Sequence, residues 1–169
     1  MQRVLVLDNL SAEGVDIFRA EGFEVDVKPP QKPAELAAII NDYDGLVVRS
    51  ATKVTAEALA GSTRLKVIGR AGVGTDNIDK DAATKRGIVV MNTPGGNTIS
   101  TCEHAFALML ALCRNIPKAH ASMAAGRWDR KAFMGAELFG KTLGVVGMGR
   151  IGGAVAKRAK AFVMKVLAF

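Results

Sequence analysis

TLGVVGMGRIGGAVAKRAKAFVMKVLAF, residues 142–169, has the outline of a strand, a glycine-rich turn, a helix and a second strand. Leu143–Val146 is an apolar run, Gly147, Gly149 and Gly152 give the spacing G-x-G-x-x-G, AVAKRAKAF continues as a helix, and KVLAF returns as a strand. Each glycine has a physical reason: Gly147 permits a tight turn, Gly149 lets the backbone approach a pyrophosphate, and Gly152 lets helix and strand pack closely. The start of the helix offers unpaired N–H groups to an anion, and Arg150 and Ile151 stand on that turn. The plain alternative is a glycine-rich connection that binds nothing. A lone G-x-G-x-x-G is a weak signal, but one set between a strand and a helix points to a dinucleotide. Such a unit carries an acid about 20 residues on, at the end of its second strand, for the ribose hydroxyls. The chain ends at Phe169, so that carboxylate is expected at position 170 of a longer chain.

Upstream, the same βα rhythm repeats. RVLVL (3–7), FEVDV (23–27), GLVV (45–48), LKVI (65–68) and IVVM (88–91) are short β-branched runs, each separated from the next by enough residues for a helix. Strands interleaved with helices predict a doubly wound parallel sheet. Gly22 and Gly87 sit where helices should end, and PPQKP (29–33) makes a stiff loop before AELAAII.

After NTPGGN (92–97) the rhythm stops. Ser100 and Glu103 make the S-x-x-E of a capping box, and the run from Thr101 to about Ala125 is predicted helical, with Pro117 as a kink. Its first half, AFALMLALC (105–113), is apolar on every face, and one sheet can cover only one side of such a helix. A second subunit packed on the helix near 101–125 is one solution, as a homodimer or homotetramer; cover by a further part of the chain is the other.

Composition narrows the classes. A chain of 169 residues can bury about 70% of its unfolded surface, enough for a real core. The net charge of +7 invites a nucleic-acid reading, but the 23 Lys and Arg residues are scattered and only 5% of residues are aromatic, a poor basis for stacking bases. An anionic small ligand explains the charge equally well. Eleven residues of helix hold Cys102 and Cys113 about 16 Å apart, too far for a disulfide, which fits reduced thiols and a cytoplasmic setting. MQRVLVLDNL does not read as a signal peptide, and no apolar run is long enough to span a bilayer.

In a doubly wound sheet, ligands bind beyond the carboxyl ends of the strands. Strand three runs into Arg49 and Ser50, strand four into Arg70 and AGVGTDN, and strand five into NTPGGN. Two guanidinium groups, a hydroxyl, a glycine-flanked loop of N–H groups and Asn97 make a cup for a doubly anionic small molecule. Either arginine alone reads as a solvated side chain; the pair favours a site. His104, on an apolar helix start, reads as a hydrogen-bonded core residue and His120 as a surface one. Neither has an acid spaced for a proton relay, so the chain carries binding groups and no catalytic residue. No metal-ligand cluster is apparent.

RSATKVT (49–55), GRAGVGTDNID (69–79), VMNTPGGNTIST (90–101), GRWDRKAFMGAEL (126–138) and KTLGVVGMGRIG (141–152) together resemble the D-2-hydroxyacid dehydrogenases, in order and along the whole chain. The resemblance implies a flavodoxin-like doubly wound substrate-binding domain over 1–97, completed later by a returning segment. It also implies the first part of a Rossmann NAD-binding domain over 98–169. Arg49, Ser50, Arg70 and Asn97 would contact substrate, Gly72, Val73 and Gly74 would offer N–H groups to its carboxylate, and Arg130 would reach a neighbouring subunit's site. Gly147, Gly149, Arg150, Ile151 and Gly152 would hold NAD. The implied reaction is hydride transfer from C2 of a small 2-hydroxy acid to NAD, with the catalytic His, Glu and Arg beyond residue 169, so the chain alone is expected to be inactive. The two arginines favour a phosphorylated substrate over a glyoxylate or hydroxypyruvate reductase. A non-catalytic relative that dimerises or senses a ligand is the alternative. One position departs from the family: Val163 stands where a glycine is usual, at a turn that takes positive φ.

Overall fold

The five upstream runs all become strands in the computed structural model, which describes residues 1–169: β1 (Arg3–Val6), β2 (Glu24–Val27), β3 (Gly45–Val48), β4 (Val67–Arg70) and β5 (Val89–Asn92). They pair in parallel in the order β2-β1-β3-β4-β5. The helices between them are α1 (Ala12–Ala20), α2 (Pro33–Ile39), α3 (Ala56–Leu59) and α4 (Lys80–Lys85). Period-two alternation divides the side chains between two layers. Leu5, Leu7, Leu46, Val48 and Ile68 belong to a core shared with Leu36 of α2, Leu59 of α3 and Ala83 of α4. Val4 and Val6 instead meet Val15 of α1, together with Phe23, Val25 and Val47. The largest of these side chains are fully buried, each contributing about 1.5–3 kcal/mol from removal of apolar surface from water.

Only α1 covers the second face. Beside it Val47, Val67, Gly69 and Met91 line a groove of about 540 Å³ with Ile17 and Phe18, and Val89 and Met91 are each 58% exposed. These residues form one compact unit, Met1–Gly96; Asn97–Phe169 form a second.

The second unit contains α5 (Thr98–Cys113), α6 (Ile116–Ala124), β6 (Thr142–Val145), α7 (Arg150–Ala161) and β7 (Lys165–Ala168). β6 and β7 pair in parallel across α7, the βαβ unit read from the terminal stretch. Its core joins Cys102, Phe106, Leu138, Ala159 and Met164, and the Phe106 and Phe162 rings stack at 5.3 Å.

Three expectations for this region are corrected. The helix starts at Thr98, so Ser100 lies inside the first turn and donates its hydroxyl to the Asn97 carbonyl (3.1 Å) instead of forming a capping box. The long kinked helix is two helices. Asn115 turns left-handed (φ 53) between them, and Pro117 fits the first turn of α6, where its missing N–H costs nothing. His104 is exposed, not in the core. The buried stripe of α5 runs through Cys102 and Phe106, and His104 lies two residues round the helix, on the far side. Leu108 and Leu112, off that stripe, are 58% and 80% exposed, and both cysteines are free. No helix is long and apolar enough to cross a membrane.

Four helices end in one hydrogen-bond pattern; after α6, Gly126 (φ 72) and Arg127 donate to the carbonyls of Met123 and Ser122. After α1, Gly22 and Phe23 donate to the carbonyls of Arg19 and Phe18; after α4, Gly87 and Ile88 donate to Thr84 and Ala83. After α7, Val163 and Met164 donate to Lys160 and Ala159. This is the Schellman closure, and its central residue must take positive φ. Gly22 and Gly87 do so freely at φ 84 and 69, whereas Val163 does so at φ 58 with a β-branched side chain. Val163→Gly is therefore expected to stabilise the second unit by about 1 kcal/mol, read as a raised midpoint in denaturant unfolding; an unchanged or lowered midpoint contradicts the assigned strain.

At the amino ends of the strands, Tyr43 is buried, donates its hydroxyl to Asp26 (2.8 Å) and lies under the Arg3 guanidinium, 5.1 Å from the ring centre. Burial first, and then the bond to Asp26, push its phenol up to about 12. The fold holds the neutral form, so this contribution to stability is complete below about pH 10 and is lost as pH rises through about 12. Tyr43 is the only tyrosine, so phenolate absorbance reads it directly. A midpoint near 12 that falls in Asp26→Asn is expected, and a midpoint near 10 in the folded chain contradicts it.

Candidate functional site

The strand order reverses between β1 and β3, and in such sheets the crevice at the carboxyl ends beside that reversal is where ligands bind. Arg49 follows β3 there. Its N–H donates to Asp8 Oδ2 (2.9 Å), just past β1, and its carbonyl accepts from Arg70 Nε (3.1 Å) and Asn77 Nδ2 (2.9 Å). Its own guanidinium makes no hydrogen bond or ion pair within the chain. Ser50 beside it is exposed, with its hydroxyl unpaired.

Arg70 is placed by the register, which sets it opposite Val48 on one side and Asn92 on the other. Besides the bond to Arg49, it donates Nη1 to the Gly74 carbonyl, so the loop after β4 wraps around its guanidinium. A Cβ on Gly74 would lie 2.7 Å from Asp76 Oδ1 and one on Gly72 3.1 Å from Arg70 Nη1, so a larger residue at either position would have to displace one of those side chains. Asn92 Nδ2 donates to the Val73 carbonyl (2.7 Å) and the Thr93 N–H to the Gly72 carbonyl (3.0 Å), which fixes the loop from β5. Of the three N–H groups expected to face a ligand, that of Gly72 is turned to the Arg70 carbonyl (2.8 Å). Those of Val73 and Gly74 donate to nothing in the chain.

The first unit thus brings Arg49, Ser50, Arg70 and Gly72–Gly74 to one edge, with Arg49 free and Arg70 partly committed to holding the loop. Sequence reading missed Asp8, Thr52, Asn77 and Asn92, which hold this edge together. Their one local signal was position: each lies at the carboxyl end of a strand or in the loop after it.

Asn97 and Arg130 belong to the second unit. Asn97 precedes α5 with its side chain unpaired, its carbonyl accepting from Ser100 and from the Thr101 N–H (2.9 Å). Arg130 opens a short 3₁₀ turn and lines a groove of about 240 Å³ with Ser122, Arg127, Trp128 and Asp129. It makes no ion pair, whereas Arg127 pairs with Asp129 at 3.4 Å.

The glycine turn of the second unit has the shape its sequence requires. Gly147 takes φ 93 and donates to the Phe169 carbonyl (2.8 Å). A Cβ on Gly152 would lie 2.0 Å from the Gly147 carbonyl oxygen, so only glycine lets α7 sit this close to the turn. Nothing lies within 4 Å of the Cβ position of Gly149, which leaves open space over the turn. The first helical N–H to find a partner is that of Gly153, bonded to Gly149 at 2.8 Å; those of Arg150, Ile151 and Gly152 are free. Open space above three free N–H groups at a helix start fits a phosphate or pyrophosphate.

Over residues 4–165 the chain matches the D-isomer specific 2-hydroxyacid dehydrogenases, catalytic domain, and it belongs to that family. It is 57% identical over 167 residues to the D-3-phosphoglycerate dehydrogenase of Archaeoglobus fulgidus, an alignment covering 99% of this chain and 32% of that enzyme. A crystal structure from Thermus thermophilus matches with a TM-score of 0.88 at 40% identity, covering 99% of this chain and 55% of its own. NAD+-bound 3-phosphoglycerate dehydrogenase from Entamoeba histolytica matches with a TM-score of 0.79 at 31% identity, covering 99% and 53%. The chain therefore spans about a third of the length of the curated relatives it matches.

Proposed function

We propose that the chain supplies the substrate-anion edge and the cofactor turn of an NAD-dependent dehydrogenase that oxidises D-3-phosphoglycerate at C2 to 3-phosphohydroxypyruvate. The observation that carries this reading is the free Arg49 guanidinium, held on a fully bonded backbone beside Arg70 and the unpaired N–H groups of Val73 and Gly74. A substrate with a phosphate and a carboxylate needs donors for two anionic groups, and this edge has them. The relatives named for the same substrate support it. Asn97 is proposed as a further substrate contact, Arg130 as a residue reaching a neighbouring subunit's site, and the two units as the substrate-binding and NAD-binding domains.

NAD, when bound, supplies the hydride acceptor. The chain's part is to hold its pyrophosphate on the N–H groups of Arg150, Ile151 and Gly152, with Gly147 and Gly149 leaving the approach clear. The C2 hydroxyl proton needs a base; the strand ends and the glycine turn carry no histidine, and the Asp8 carboxylate is buried and already accepts three hydrogen bonds. We therefore place the acid–base and carboxylate-clamping residues in the remainder of a longer enzyme, with this chain binding without turnover. The same longer chain would cover the open face of the sheet, and a second subunit the Leu108–Leu112 stripe of α5.

Titration calorimetry on the 169-residue chain tests the assignment. Arg49→Ala is expected to weaken D-3-phosphoglycerate by about tenfold or more and NAD by less than about twofold. Equal losses for both ligands, or none for phosphoglycerate, contradict the role given to Arg49.

A further inference from the structure

Asp8, which no sequence motif singles out, accepts three hydrogen bonds at the strand edge. Its side chain is buried, with the residue only 6% exposed. Oδ2 accepts the backbone N–H groups of Arg49 (2.9 Å) and Thr52 (3.0 Å), and Oδ1 accepts the Thr52 hydroxyl (2.5 Å). Thr52 is fully buried, and its hydroxyl oxygen also accepts the N–H of Gln31 (3.3 Å), from the loop after β2. On the other side, Asn77 donates to the carbonyls of Arg49 and Thr52 (2.9 and 2.7 Å). The segment Arg49–Thr52 is thus held at the N–H of both end residues by Asp8 and at the carbonyl of both by Asn77. The side chains of Arg49, Ser50 and Ala51 are left exposed, and of these only Arg49 and Ser50 carry polar groups.

The backbone shows a second sign of selection at this point. Asp8 and Asn9 both take left-handed conformations, φ 63 and 54, in succession at the end of β1. Asp and Asn tolerate that region better than other side chains, yet it costs each of them some stability, and such strain concentrates at functional edges. Here the turn points the Asp8 carboxylate at the loop after β3 rather than onward along its own strand.

We infer that Asp8 is the positioning residue of the anion site, its buried carboxylate fixing the Arg49–Thr52 loop so that the Arg49 guanidinium is presented in one place. The inference rests on the reading of Arg49 as a substrate contact. Preorganisation is what the clamp contributes: an arginine on a loose loop must be ordered when ligand binds, and that ordering is subtracted from affinity. Asp8 itself repels an anion, so its place beside the site is explained by shape and acceptor number, not by charge. Asparagine has the same shape: its oxygen accepts both N–H groups, and its amide donates to the Thr52 hydroxyl oxygen.

Amide NMR titrations of the 169-residue chain with D-3-phosphoglycerate separate the possibilities. Asp8→Asn is expected to bind at least as tightly as the parent, since it keeps the clamp and removes a like charge. Asp8→Ala is expected to bind about tenfold more weakly or worse, with exchange protection lost at the amides of Arg49 and Thr52 while cooperative unfolding persists. Should Asp8→Ala not fold, Thr52→Ala gives the second reading, with a loss of about threefold or more. Binding by Asp8→Ala or, failing that, by Thr52→Ala that matches a parent which does bind overturns the inference and leaves the function standing. A weakening of Asp8→Asn equal to that of Asp8→Ala also overturns it, because charge and not position would then be at work. A parent chain that does not bind phosphoglycerate overturns the functional reading and the inference with it.

Discussion

Parallel pairing sets Val48 opposite Arg70 and Arg70 opposite Asn92, and the chemistry of the first unit follows from that register. Strands that all run one way end together, so the residues just past β1, β3, β4 and β5 meet at one edge although they are far apart in sequence. A two-residue slip of β4 would carry Arg70 away from the Arg49 carbonyl and free the loop it now holds. The register is kept by burial. Leu5, Leu46 and Ile68 are 0–1% exposed on the face packed by α2, α3 and α4, and a one-residue shift would turn each of them to the opposite face.

The edge combines rigid backbone with free side-chain donors. Arg70 shows how one residue type serves both ends: its Nε and Nη1 hold the carbonyls of Arg49 and Gly74, and the rest of its fork stays available. Arg49 is the complement, with its backbone bonded on both sides and its guanidinium unbonded. The second unit follows the same logic with amides in place of guanidinium. Gly152 brings α7 against the turn, and the unpaired N–H groups at the start of that helix face open space over Gly149.

What was legible in the sequence was local or periodic. β-branched runs mark all five strands of the sheet and glycines the ends of α1 and α4, while Val163 stands out at the strained end of α7 only through the resemblance to the family. What stayed hidden depends on partners distant in the chain. Asp8 finds Thr52 across 44 residues, Asn77 finds Arg49 across 28, and neither pair leaves a period to read. The Gly72 N–H reads as free in a glycine loop but closes a tight turn onto the backbone carbonyl of Arg70. His104 reads as a core residue because its helix is apolar all round. Packing selects one stripe of such a helix, and the stripe through Cys102 and Phe106 leaves that histidine outside.

The proposed function requires the Arg49 edge to be an anion site. A crystal structure of this chain soaked with D-3-phosphoglycerate tests that most directly. It should show the ligand's anionic groups within hydrogen-bond distance of the Arg49 guanidinium and of the N–H groups of Val73 and Gly74. Ligand density elsewhere on the molecule, with Arg49 still unbonded, would contradict it.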